Sequence, residues 1–386
     1  MPIPPEPIAF IDLKAQQARI RPRIEARFSA ILDHGTYIGG PEVAELEAEL
    51  CAFTGAAKAL AAASGTDALM LPMMAMGLKA SDAVFLPAFT YNATASAVIL
   101  SGATPVFVDV RARDFNLDPA DLERRIAEAK GRGLTPRLVV AVDLFGIPAD
   151  YAEVFAVTQA HGLKVLADAA QSFGARWNGR WAGNIAPVTA TSFFPAKALG
   201  GYGDGGAVLF RDLELYEASE QVRWHGTDAG RKESVRVGFN GRLDSLQCAV
   251  VIEKLKLFEG ELARRREIAA IYDRRLANHI DPQAFGEGCD SGYGLYTVAL
   301  DNRNEVQARL KADGVPTAIY YAQPLPQMAA FAPYAQGQSF PESERLAGRV
   351  LSLPMHPYLT DDQANYVCDR FVEAVGQLVS APPPAR

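Results

Sequence analysis

From residue 58 to residue 210, short apolar runs alternate with helical patterns. That alternation constrains the fold of this chain more than any other feature. The runs are KALAAAS (58–64), AVFLPA (83–88), TPVFVDV (104–110), RLVVAVDLF (137–145), KVLADAA (164–170), VTATSFF (188–194) and GAVLF (206–210). Each reads as a strand, and strands alternating with helices predict a mainly parallel sheet covered on both faces. In DPADLERRIAEAK, Asp118 is placed to cap a helix and Pro119 to stand at its first position. After about residue 245 the character changes. A long charged helix is predicted over 243–278, followed by shorter elements, and the last seven residues, SAPPPAR, read as disordered. A domain change near 256 gives a large α/β unit, residues 1–256, and a smaller C-terminal α+β unit, residues 257–386.

Several classes of function are excluded early. The net charge of −7 argues against sequence-independent binding to nucleic acid or to anionic membrane, both of which need basic patches. The basic cluster Arg264, Arg265 and Arg266 lies in a charged helical pattern and reads as a solvated face. Cys51, Cys248, Cys289 and Cys368 form no C-x-x-C pair and stand far apart, which fits a reduced cytoplasmic protein. The histidines have no metal-ligand spacing, so no metal is expected. The N-terminus lacks a basic region followed by an apolar block and does not read as a signal peptide. The stretch ALAAASGTDALMLPMMAMGL (59–78) is long enough to span a bilayer, but Asp67 near its centre costs roughly 3 kcal/mol there. It reads as strand, turn and helix, with Pro72 expected to remove a backbone hydrogen bond and kink that helix.

Ligands of an open parallel sheet sit at the carboxyl ends of its strands. Ser64-Gly65-Thr66-Asp67 follows the first strand, and a helix opening there suits a phosphate. Phe89-Thr90-Tyr91 follows the second and offers aromatics to cover a flat ring. Asp168 ends the fifth, with Gln171 three residues on. Ser192 ends the sixth, with Lys197 five residues further. Lys197 alone reads first as a solvent-facing charge, since lysine is rarely buried. Gly201, Gly203 and Gly206 satisfy a dinucleotide fingerprint, but that motif needs a helix after the glycines, and here GAVLF follows. The third reading is an amine of lowered pKa, able to form a Schiff base. Taken singly, Gly65-Thr66 is a helix cap, Tyr91 a core residue and Asp168 a strand-end cap. Together, an anion cradle, a ring cover, a carboxylate and a lysine match the needs of pyridoxal phosphate (PLP).

The motifs YIGGPEVAELE (37–47), SGTDAL (64–69), PAFTYNAT (87–94), GATPVFVDV (102–110), DLFGIPAD (143–150), DAAQSFGA (168–175), TSFFPAK (191–197), GYGDGGAV (201–208), GFNGRLDSLQ (238–247) and LSLPMHPYL (351–359) stand in order. In them the chain resembles the DegT/DnrJ/StrS-type nucleotide-sugar aminotransferases, PLP enzymes of the aspartate aminotransferase type I fold. The resemblance runs from about Phe10 to about Val367. It implies that Lys197 carries the cofactor covalently, that Asp168 faces the pyridine nitrogen, and that Gln171 packs nearby. It further implies that Gly65, Thr66 and Ser192 hold the phosphate and that Tyr91, or else Phe89, stacks on the ring. Asn240 would reach the phosphate from a second subunit, which implies a homodimer with shared sites. A dehydratase branch replaces the lysine by histidine, so Lys197 favours transamination. FIDLKAQQARI (10–20), TSFFPAKALGGYGDGGA (191–207), GRLDSLQ (241–247) and MHPYL (355–359) resemble members acting on UDP-linked 3-keto-uronates, with glutamate as donor. Where those members carry His-Tyr-Pro-x-Pro-Leu, this chain has Tyr320-Tyr321-Ala322-Gln323-Pro324-Leu325. Tyr320, Tyr321 and Arg242 are the candidate sugar-site residues. The rival readings are an aminotransferase for dTDP-linked 3- or 4-keto-6-deoxy sugars and, in another class, a non-catalytic sugar-binding or regulatory protein of the same fold.

Overall fold

The computed structural model describes residues 7–379. The 380–386 tail and the first six residues of the N-terminal stretch lie outside them. Among the described residues, the seven apolar runs are seven strands of one sheet. They are β1 (Lys58–Ala62), β2 (Asp82–Pro87), β3 (Thr104–Val108), β4 (Thr135–Val142), β5 (Lys164–Asp168), β8 (Val188–Ser192) and β9 (Gly206–Phe210), in the order β1-β9-β8-β5-β4-β2-β3. Two short strands, β6 (Arg176–Trp177) and β7 (Arg180–Trp181), intervene in the chain and belong to a separate small sheet. Strand β9 is antiparallel to both of its neighbours, and the remaining adjacent pairs are parallel. Most of the apolar runs extend past the ends of their strands. The overshoot has a cause: Phe145, Ala169 and Phe193, just beyond β4, β5 and β8, are buried as well.

Helices α1 (Leu13–His34), α2 (Pro41–Thr54), α3 (Gly65–Ala75), α4 (Asn92–Leu100), α5 (Pro119–Gly131), α6 (Tyr151–His161) and α7 (Leu213–Arg223) accompany this sheet. Alternate strand residues serve opposite faces, as the two-residue period of a strand requires. Val84 and Leu86 pack with Leu69 of α3 and Val98 of α4. Ala83 and Phe85 pack with Leu122 and Ile126 of α5 and Val154 of α6. Each such valine, leucine, isoleucine or phenylalanine, fully buried, contributes about 1.5–3 kcal/mol, so the loops at the strand ends stand on a rigid platform. Asp118 caps α5 as expected, accepting from the Ala120 N–H at 3.0 Å. Helix α3 continues through Pro72, which is buried, to Ala75. No helix among the described residues is long and apolar enough to cross a membrane.

The long charged helix is α8 (Ser245–Leu276), capped by Asp244, and residue 256 falls inside it. Its Val251, Phe258 and Leu262 pack against the large sheet, with Phe193 and Leu209. Its Ile268, Tyr272 and Leu276 enter a second core. There they meet an antiparallel sheet of β10 (Asp281–Pro282), β12 (Tyr296–Ala299) and β13 (Val350–Leu353); β11 (Cys289–Asp290) pairs with β6 instead. Helices α9 (Arg303–Ala312), α10 (Ala332–Ala335), α11 (Pro341–Arg349) and α12 (Asp361–Val379) complete the described residues. The reading of 264–266 as a solvated face is corrected here. Arg265 is buried, and its guanidinium donates to the carbonyls of Tyr293 and Met355, both at 2.9 Å. Arg264 reaches the Leu359 carbonyl and Asp361. Two of the three arginines thus tie α8 to chain segments far downstream.

Candidate active site

The carboxyl ends of β1, β2, β4, β5 and β8 lie along one edge of the sheet. Beyond β8 the chain folds back tightly: Phe193 N–H donates to the Gly205 carbonyl, and Lys197 N–H to the Phe194 carbonyl, both at 2.8 Å. Gly200 is required in this turn, because a Cβ there would lie 2.5 Å from the Pro195 carbonyl oxygen. Lys197 is thereby set, half-buried, beside Asp168. Burial lowers its pKa below the ordinary lysine value, and the charge of Asp168 works against that shift.

Asp168 is buried at the end of β5. Its Oδ2 accepts from the Thr94 hydroxyl at 2.9 Å, and its Oδ1 from the Ala170 N–H at 3.2 Å. Burial raises its pKa, while these two donors and Lys197 lower it. Gln171 bridges two loops. Its Oε1 accepts from the Phe145 N–H at 2.7 Å, and its amide nitrogen donates to the Tyr321 hydroxyl at 2.9 Å. A second carboxyl group, Asp143, follows β4 and is fully buried. It accepts from the Ala149 N–H, the Tyr151 hydroxyl and the Ser172 hydroxyl at 2.9, 2.8 and 2.7 Å. Burial pushes its pKa up to about 7; those donors oppose the shift, and the charge of Asp168 adds to it.

At the next strand end, Ser64 caps α3, its hydroxyl accepting from the Asp67 N–H at 3.0 Å. The amides of Gly65 and Thr66, ahead of Asp67, have no acceptor within the helix. Gly65 touches the end of β8 so closely that a Cβ would sit 2.6 Å from the Ser192 Cβ. Two free amides and a serine hydroxyl therefore meet at a helix N-terminus, the arrangement an anion such as a phosphate needs. The two aromatics of the β2 loop differ in placement. Phe89 is fully buried, edge-on to Phe145 and Tyr321. Tyr91 is 54% exposed, with its ring 5.9 Å from that of Tyr321. Tyr320 stands beside Tyr321 and Phe10.

Lys197, Asp168, Gln171, Tyr91, Tyr321, Gly65, Thr66 and Ser192 are thus at or just beyond one sheet edge. Arg242 is bridged to Ala62, the last residue of β1, and the Ala63 N–H donates to the Gly241 carbonyl at 3.1 Å, so the 240–242 segment lies against the strand end that leads into Ser64. Asn240 is exposed, and its Oδ1 accepts from Arg242 Nε at 2.8 Å. Arg242 and Arg231 both lie over the Trp224 ring, 4.5 and 3.4 Å from its centroid. The sequence reading did not assign Thr94 or Asp143 a role. Thr94 was inside a quoted motif, PAFTYNAT, and Asp143 ends an apolar run as Asp168 does.

Comparison with known proteins agrees with this geometry. The pattern of the DegT/DnrJ/EryC1/StrS aminotransferase family matches residues 18–372. The UDP-2-acetamido-2-deoxy-3-oxo-D-glucuronate aminotransferase of Pseudomonas aeruginosa is 46% identical, over 94% of this chain and 98% of its own. A crystal structure of a DegT/DnrJ/EryC1/StrS aminotransferase from Brucella abortus superposes with a TM-score of 0.93 at 41% identity, covering 96% of this chain and all of that one. NtdA of Bacillus subtilis, solved with bound cofactor PMP, superposes with a TM-score of 0.85 at 26% identity, over 95% of this chain and 83% of its own. The chain described here belongs to the DegT/DnrJ/EryC1/StrS aminotransferase family.

Proposed function

We propose that this aminotransferase moves the amino group of glutamate to C3 of UDP-2-acetamido-2-deoxy-3-oxo-glucuronate, a cytoplasmic step in making a surface polysaccharide. The observation that carries the reading is a lysine of lowered pKa beside a buried carboxylate, on the sheet edge that also presents a free helix N-terminus. The residues present fit PLP. Gly65, Thr66 and Ser192 would hold its phosphate, because a cradle that a Cβ would fill leaves two amides and a hydroxyl for it. Tyr91, exposed where Phe89 is buried, would cover the ring. Once bound, PLP supplies an electron sink for a carbanion at the carbon being deprotonated. Asp168 holds a proton at the ring nitrogen. Lys197 Nζ would hold the cofactor and would move the proton at the donor α-carbon. Gln171 fixes Tyr321 at the mouth of the site, and Tyr320 lines it.

The protein works as a homodimer, with Asn240 of a second copy reaching the phosphate. The large unit, residues 1–256, and the small unit, residues 257–386, divide within α8. Arg242 pairs with the uronate carboxylate. Its Nε is held by Asn240, and its planar fork suits a carboxylate. The measurement that tests the substrate is kcat/KM for the UDP-3-keto-uronate against dTDP-linked 3- or 4-keto-6-deoxy sugars, with glutamate as donor. The uronate should lead, and Arg242→Ala should lower its kcat/KM roughly ten- to hundredfold while affecting the neutral sugars less. A dTDP sugar that outperforms the uronate leaves the aminotransferase and removes this substrate.

A further inference from the structure

We infer that Thr94 is the positioning residue of the ring-nitrogen carboxylate: its hydroxyl orients Asp168 and ties that carboxylate to the turn that carries Tyr91. The inference rests on the proposed role of Asp168 and deepens it. Thr94 is the third residue of α4, and its N–H donates to the Tyr91 carbonyl at 3.2 Å. A threonine in a helix ordinarily turns its hydroxyl back to a carbonyl of the preceding turn. Thr94 does not. Its hydroxyl crosses to β5 and donates to Asp168 Oδ2 at 2.9 Å. The second hydroxyl in reach is that of Thr90, 3.4 Å away. A threonine has one hydroxyl proton, and Thr94 spends it on Asp168, so Thr90 is the donor of that second contact. The result is a directed chain, Thr90 to Thr94 to Asp168, with each proton pointing toward the carboxylate.

All three residues are buried: Thr90 is 2% exposed, Thr94 1% and Asp168 7%. Water cannot readily replace the hydroxyl, so its loss leaves one carboxylate oxygen short of a donor. The same turn places Tyr91 where it would cover the ring. One segment, residues 90–94, therefore governs both the face of the ring and the carboxylate at its nitrogen. Burial raises the pKa of Asp168, and the Thr94 hydroxyl is one of the groups that hold it down. Asp168 without Thr94 takes up a proton at a higher pH and then no longer holds one at the ring nitrogen.

The test compares Thr94→Val, which keeps the shape, Thr94→Ser, which keeps the hydroxyl, and Asp168→Asn. Three quantities are read: the equilibrium Kd for PLP, the pH at which PLP binding fails on the acid side, and the rate of the glutamate half-reaction. Thr94→Val should slow the half-reaction roughly ten- to hundredfold, the range for a hydrogen bond to a charged group. It should weaken PLP and shift the acid limit of binding to higher pH, and Thr94→Ser should restore all three to within about threefold. Thr94→Val indistinguishable from wild type beside a disabled Asp168→Asn overturns the role of Thr94 alone. An Asp168→Asn that behaves as wild type overturns the role of Asp168 and, with it, this inference. Lower activity in Thr94→Val with an unmoved acid limit, or an equal loss in Thr94→Ser, reduces Thr94 to a packing residue.

Discussion

Asp143 and Asp168 end neighbouring parallel strands, are both buried, and differ in what surrounds them. Asp143 receives three donors, from Ala149, Tyr151 and Ser172, and each belongs to a segment that must be held: the loop after β4, the start of α6 and the turn after β5. Asp168 receives two, from Thr94 and Ala170, and also feels the charge of Lys197. The first carboxylate is consumed by the fold. The second is oriented by the fold and keeps accepting capacity for a ligand. On the proposed role of Asp168, a strand-end aspartate is suited to a ligand by the lone pairs its neighbours leave open, and position alone does not separate the two kinds.

The largest effect that sharpens this contrast is at Lys197, whose charge acts on Asp168. Lys197→Ala should fold, as judged by circular dichroism, and lose about four orders of magnitude of turnover or more, since on the proposed role it removes both the covalent link and the acid–base group. Mixed with Asn240→Ala chains, it should regain activity in heterodimers. Heterodimers that form but stay inactive would put both residues in one subunit's site. Second in size is Asp168→Asn. The half-reaction should fall at least about a hundredfold, because each lost unit of ring-nitrogen pKa is worth about tenfold when fully expressed in the transition state. Asp143→Asn should change the same rate by only a few-fold. Equal losses at the two positions would erase the distinction between them.

Much of this was legible in the sequence. The strands were visible because a sheet covered on both faces needs continuous apolar runs, and the edge residues because they follow those runs. Lys197, Asp168 and Gly65 stood out for that reason. Thr94 did not. Its partner is 74 residues away, and nothing local distinguishes a hydroxyl that crosses to another strand from one that bonds its own helix. Arg265 was misread for the same kind of reason. In a charged helix an arginine reads as surface, and only the tertiary fold brings the Tyr293 and Met355 carbonyls to it. Tyr91 and Phe89 could not be ranked from sequence, since both are aromatics in one short loop. Their burial separates them, because one is sealed against Phe145 and the other is open.

The smallest effect tests Asp143 itself, where two physical influences oppose each other. Three donors converge on its oxygens, which favours the ionised form. Burial, together with the neighbouring charge of Asp168, favours the neutral form and prevails, pushing the pKa up to about 7 from 3.8. A group whose pKa is raised on folding binds its proton more tightly in the native state than in the unfolded chain. Its contribution to stability is then complete below about pH 4 and is lost as the pH rises through 7, a change on the order of a few kcal/mol. Asp143→Asn keeps the shape and cannot ionise, and its amide can donate to the Ser172 oxygen. The variant should therefore gain stability relative to wild type steadily from about pH 5 to pH 8, and level off above, in denaturant melts taken at each pH. A stability difference that stays flat across that range would mean that the three donors win and Asp143 is an ordinary anion at neutral pH. Asp143 and Asp168 would then both be charged on adjacent strands.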